Sequence, residues 1–160
     1  MPERLDLIPF LMHRVVARVV ARAIRDFEAL GVTIQISRLL ITLLSNPGIR
    51  AGQLAEFIGL EISAMSHLLR RVSRQKLIKR SKDKDDQRAV VISLTADGES
   101  LARQCLALSR RHESLMLEGI APETADYIRQ LLERMLLNVE DDALESSDIS
   151  SEIDVSTSDR

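Results

Sequence analysis

Residues 46–98, NPGIRAGQLAEFIGLEISAMSHLLRRVSRQKLIKRSKDKDDQRAVVISLTADG, hold the most informative pattern in this 160-residue chain. Asn46-Pro47-Gly48 breaks the chain, and residues 48–50 leave room for a very short strand. A helical pattern over 51–58 places Leu54, Ala55 and Ile58 on one face. Gly59 supplies the turn. A second pattern over 61–75 carries Met65, Leu68, Leu69 and Val72 as an apolar stripe. Ser63, Ser66, His67, Arg70, Arg71 and Arg74 fall largely outside that stripe. Two β-type runs follow, 77–81 and 89–94, the second rich in β-branched residues. Between them lies an alternation of Lys and Asp. The order is helix, turn, helix, then a two-stranded wing. A helix with one apolar face and one arginine face can pack on a scaffold and still enter a DNA major groove, about 12 Å wide.

The flanks read as helices. Residues 6–30 repeat apolar side chains at Ile8, Leu11, Val15, Val16, Val19, Val20, Ala23, Ile24 and Phe27, with Arg14, Arg18, Arg22 and Arg25 opposite. Gly31 suits the end of that helix. Residues 33–45 form a more apolar helix with Leu39, Leu40, Leu43 and Leu44 inward. Thr95 is the expected N-cap of a helix running to about residue 118, with Leu101, Cys105, Leu108, Leu115 and Met116 inward. Pro122 suits the first turn of a last helix to about residue 139, with Ile128, Leu131, Leu132, Met135 and Leu136 inward. The fold class is mainly α with a small β-wing. One domain spans residues 1–139, with a DNA-binding lobe at about 33–95 and flanking helices at about 5–30 and 96–139. Residues 140–160 are acidic and serine-rich, a composition expected to stay disordered.

Charge is unevenly placed. The formal net charge is −2, yet residues 140–160 hold eight acids and one base, which leaves 21 bases and 16 acids before them. Between residues 60 and 88 there are nine bases and four acids, the footprint of a phosphate-backbone binder. Four aromatic residues, Phe10, Phe27, Phe57 and Tyr127, are too few for a base-stacking platform on single strands. Cys105 is the lone cysteine, so no intrachain disulfide forms, which fits a reducing cytoplasm. It reads as a buried, inert thiol. No apolar run approaches the roughly 18 residues of a membrane span, and the N-terminal stretch lacks a signal-peptide layout. His13, His67 and His112 have no partner at metal-ligand spacing. No glycine-rich phosphate loop or nucleophile-base arrangement points to an enzyme. No cofactor is implied.

The segments QLAEFIGLEISAMSHLLRRVSRQKLIKR and DDQRAVVISLTADG resemble the MarR (multiple-antibiotic-resistance regulator) family of winged helix-turn-helix transcription factors. The second segment is similar to the family's wing signature: an acid, a basic residue two to three positions on, a β run, Leu-Thr, and a Gly three residues after the Thr. The resemblance covers about residues 5–139. Lys76 stands where the family usually has Gly, and Glu61 where a better helix cap is common.

The resemblance implies a homodimer, formed by the first and last helices, that reads a pseudo-palindromic double-stranded DNA operator, most often as a repressor. Ser63, Ser66, His67 and Arg70 would face base edges, with Arg70 suited to guanine. Arg71 and Arg74 would contact phosphate, as would Arg50 and Gln53 at the start of the preceding helix. Arg88 matches the wing arginine that enters the minor groove. Asp85 or Asp86 would brace the wing, and Lys84 could touch phosphate. A small-molecule effector of unknown identity would bind between the lobes, near His13, Arg14 and Arg38. The alternatives are a winged-helix protein-interaction module and a regulator without a small-molecule ligand.

Overall fold

The computed structural model describes residues 7–83 and 89–155, and of residues 140–155 the backbone only. Lys84, Asp85, Asp86 and Arg88 therefore lie outside the described residues, as do 1–6 and 156–160. The elements are α1 (Ile8–Ala29), α2 (Ile34–Ser45), β1 (Ile49–Arg50), α3 (Ala51–Ile58), α4 (Ile62–Arg74), β2 (Ile78–Lys82), β3 (Val90–Leu94), α5 (Ala96–Met116) and α6 (Pro122–Val155). A single domain over 1–139 is the expectation from sequence. By its contacts the chain divides into two compact units, Met1–Met116 and Leu117–Arg160. The tail expected to be disordered continues α6 as far as Val155. No Pro or Gly interrupts residues 123–155, so nothing in the backbone chemistry stops the helix there.

In the first unit, α2 is the central element. Ile36, Leu39, Leu40 and Leu43 are buried on it, and its main packing partner is α5, whose Ala102 and Cys105 belong to the same core. Thr33 caps α2 by accepting from the Ile36 N–H at 3.3 Å. Leu54 and Ala55 of α3 and Met65, Leu69 and Val72 of α4 close the core from the other side. These are the apolar faces that the 3.6-residue period marks. β1, β3 and β2 form a three-stranded antiparallel sheet in that order. Ile49 pairs with Ile92, and Ile78 pairs with Leu94, so Ile49, Ile78 and Ile92 add the sheet's inner face to the same core.

The helix-turn-helix joint rests on Gly59. Its φ of 70° lets the chain reverse while the Leu60 N–H reaches back to the Ala55 carbonyl at 2.9 Å and the Gly59 N–H reaches that of Glu56 at 3.0 Å. The same motif ends α4, but the left-handed position is Lys76, φ 59°, among the described residues the one non-glycine there. Leu77 N–H donates to Val72 O at 3.1 Å, and Lys76 N–H to Ser73 O at 3.0 Å. A side chain in that region costs about 1 kcal/mol or more. Lys76→Gly is therefore expected to raise stability by about 1 kcal/mol, with the fold unchanged. Urea unfolding of the two proteins checks this, and an equal or lower midpoint for the glycine variant would contradict it.

The wing returns to the core through Thr95. Its Oγ1 accepts from the Gly98 N–H at 3.1 Å, the cap expected from sequence, and donates to the Lys76 carbonyl at 2.7 Å. The Thr95 N–H donates to Leu77 O at 3.0 Å. One residue thus joins the exit of α4, the end of β3 and the start of α5.

The outer helices depart from expectation. Of nine apolar α1 positions, Ala23 and Phe27 are buried, while Ile8, Leu11, Val15, Val16 and Ile24 are exposed. In the second unit, Leu131, Leu132 and Leu136 of α6 are exposed as well, as are Leu115 and Met116 at the end of α5. Periodicity marks which side chains share a face. It carries no information on whether one copy of the chain covers that face.

Candidate nucleic-acid interface

α4 is amphipathic in the way a groove-reading helix must be. Met65, Leu69 and Val72 hold it to the core, and Ser63, Ser66, His67, Arg70, Arg71 and Arg74 are all exposed on its outer side. The structure thus brings together every α4 residue singled out from sequence. Arg71 and Arg74 sit in the last turn, where the helix dipole favours cations. Glu61 makes no side-chain capping bond, in keeping with its weak capping chemistry.

Arg70 is pre-positioned by its own helix. Its Nε donates to the Ser66 carbonyl at 3.4 Å, and its Nη2 lies 3.2 Å from His67 Nδ1. An arginine only donates, so His67 accepts on Nδ1 and carries its proton on Nε2. The exposed His67 edge is then a donor beside a guanidinium.

The wing adds a residue the sequence reading passed over. Arg80 of β2, exposed, lines with Ser66 and Arg70 a groove of about 230 Å³ between α4 and the sheet, floored by Leu69 and Ile92. Lys79 and Lys82 are exposed on the same strand. The only signal for Arg80 was the local excess of bases, which does not say which of them faces α4. Beyond the ladder, the Asp83 N–H donates to Ala89 O at 2.9 Å.

Arg50 has a role that its sequence position hid. Its Nη2 and Nε lie 3.0 and 3.3 Å from Asp83 Oδ2, so the residue before α3 is tied to the end of β2. The brace among the described residues is Asp83; Asp85 and Asp86, the expected braces, lie outside them. Gln53 is exposed, and its Oε1 accepts from the Arg50 N–H at 3.3 Å, which orders the first turn of α3.

The expected effector residues separate. Arg38, exposed on α2, lines a cavity of about 420 Å³ with Val20, Ile24, Glu28 and Val32, and a second of about 210 Å³ with Phe27, Ser37 and His112. His13 and Arg14 are exposed on α1 and line neither. Beside the second cavity, buried His112 of α5 places Nε2 2.8 Å from Asp26 Oδ2 of α1 and meets Phe27 edge-on at 6.0 Å between ring centres. The hydrogen bond from His112 holds the Asp26 carboxyl below its usual range; the charges of His112, Arg111 and Arg25 act in the same direction. Sequence reading treated His112 as isolated, because its partner lies 86 residues away. Among the described residues no three His, Cys, Asp or Glu side chains gather as a metal site, and no single helix is long and apolar enough to cross a membrane.

The sequence pattern of the MarR family matches residues 32–90, which span α2 through the start of β3. The chain carries a MarR-family domain. It is similar in structure to a MarR-family transcriptional regulator from Silicibacter pomeroyi, with 28% identity, a TM-score of 0.74, and coverage of 82% of this chain and 88% of that one. It is also similar to a probable transcriptional regulator from Pseudomonas aeruginosa, at 25% identity and a TM-score of 0.68, over 82% and 99% of the two chains. MepR of S. aureus, solved as a DNA complex, shares the fold at 22% identity and a TM-score of 0.71, over 82% and 98%. Sequence comparison with curated proteins yields no match. The winged helix of the MarR family is therefore the frame on which the α4 arginine face and the β2 bases are presented.

Proposed function

We propose that this MarR-family chain is a sequence-specific double-stranded-DNA-binding transcriptional regulator that acts as a homodimer, and that it represses transcription in a ligand-responsive way. The observation that carries the reading is the exposed face of α4, with Arg70 and Arg80 flanking one groove and Arg71 and Arg74 beyond it. Its core-facing stripe leaves that whole side free for a major groove. The homodimer is supported by the exposed apolar residues of α1, from Ile8 to Val16, and by those of α6. Two copies related by a two-fold axis would read half-sites about one helical turn apart. The effector reading is supported by the cavities at Arg38, at the junction of α1 and α2. An effector there acts only through different affinities for two arrangements of the dimer.

Selection from a pool of random duplex DNA at two salt concentrations tests the reading. A pseudo-palindrome is expected to be enriched, with affinity falling steeply as salt rises. The Arg88→Ala protein is expected to bind the selected site more weakly. No enrichment, together with indifference to Arg88→Ala, would contradict the assignment.

A further inference from the structure

α1 and α5 hold a second cluster of positive charge, on elements that the DNA face does not use. Arg22, Arg25 and Arg111 line a cavity of about 260 Å³ with Asp26, His112 and Leu115. Three guanidinium groups share the cavity with one carboxylate, and that carboxylate is taken: Asp26 Oδ2 is bonded to His112 Nε2 at 2.8 Å. Arg25 and Arg111 act on Asp26 through their charge, but neither they nor Arg22 form an ion pair with a described residue.

The cluster is held by the fold. His112 is buried, anchored by Asp26 on one side and by the edge contact with Phe27 on the other. Arg111 precedes His112 on α5, and Arg25 precedes Asp26 on α1, so the same bond that joins the helices brings the backbones of these two exposed arginines to the rim of one cavity. Like charges kept together without partners are unfavourable, and an anion placed among them removes that cost. Arginine forks match the oxygens of phosphate and carboxylate, two hydrogen bonds at a time. Three arginines outweigh the one Asp26 carboxylate in the same cavity, so a ligand with two negative charges gains more there than a ligand with one. The volume is at the small end for ligand pockets, which favours a compact ligand over a nucleotide.

We propose that this cavity binds a small, doubly charged oxyanion of the phosphate or phosphomonoester class, at a site separate from the nucleic-acid face. The full chain is titrated calorimetrically at constant ionic strength with inorganic phosphate, with glycerol phosphate, and with acetate as the singly charged comparison. Saturable binding of one dianion per chain is expected, with acetate at least about tenfold weaker. The Arg25→Gln/Arg111→Gln protein is expected to lose at least about tenfold in dianion affinity, while Arg71→Gln/Arg74→Gln on α4 retains it. A tighter constant for glycerol phosphate than for phosphate assigns the site to an organic phosphomonoester; the reverse assigns it to the free ion. Amide chemical shifts of the unaltered protein give a test that needs no variant. Phosphate is expected to move resonances at residues 22–26 and 111–115. Absence of saturable binding, or shifts and losses that follow α4 instead, overturns the proposal.

Discussion

Gly98→Ala is expected to lower the thermal midpoint by about 10 °C, the result of losing about 3 kcal/mol or more of stability. Gly98 is buried in the first turn of α5. A Cβ built there would sit 1.9 Å from the Leu77 carbonyl oxygen, 2.8 Å from its carbonyl carbon and 3.2 Å from its Cα. All three are backbone atoms, so no side-chain rotation relieves the overlap. The Leu77 carbonyl also accepts from the Thr95 N–H, and Thr95 caps α5 through Gly98 itself. Moving Leu77 away would loosen both bonds and shift the end of α4 relative to the wing. Overpacking alone costs about 1–3 kcal/mol, and loss of a cap adds about 1 kcal/mol. Circular dichroism melting of the two proteins reads the effect. A shift below about 2 °C would mean that α5 and the α4–β2 link separate freely, contrary to the packing described.

Arg70→Ala is expected to weaken binding to the selected operator by about 10–100-fold while leaving stability within about 0.5 kcal/mol. The side chain is exposed, and its partners are on its own helix, so the fold gains little from it. A bidentate arginine–guanine pair contributes about 1–3 kcal/mol of discrimination, and a homodimer contains the residue twice. The signature that separates base reading from simple charge is specificity. Arg70→Ala should bind the operator and a variant altered at one base pair with nearly equal affinity. Arg71→Ala should weaken both equally and lower the salt slope by about one. Fluorescence anisotropy with the two duplexes distinguishes these patterns. A uniform loss for Arg70→Ala would place it on phosphate and move base reading elsewhere on α4.

The sequence and the structure agree where the information is local. The apolar stripe of α4 repeats within 13 residues, so Met65, Leu69 and Val72 were identifiable as buried and Arg70 as exposed from spacing alone. The same holds for Leu39, Leu40 and Leu43 on α2, and for Thr95, whose capping partner is three residues away. The wing was legible because two β-type runs, the second rich in β-branched residues, flank a stretch of Lys and Asp. Lys76 was legible as a departure, and its left-handed backbone shows what the departure means.

What depended on distant parts of the chain was not legible. Arg50 and Asp83 are 33 residues apart, and Asp26 and His112 are 86 apart; neither pair has a spacing signal. Arg80 was one base among many until β2 turned it toward Arg70. The pattern on α1 correctly named the apolar face, yet the single chain leaves most of its first half exposed. By itself the sequence determined the helices that carry the reader, the faces they bury, the wing and the caps. Periods, caps and turns are set by backbone and side-chain chemistry within a few residues. Only the tertiary structure decided that Arg50 braces the wing, that Gly98 must lack a side chain, and that three arginines share a cavity with a carboxylate already engaged. These follow from which segments the folded path brings within a few ångströms, and no local rule encodes that path.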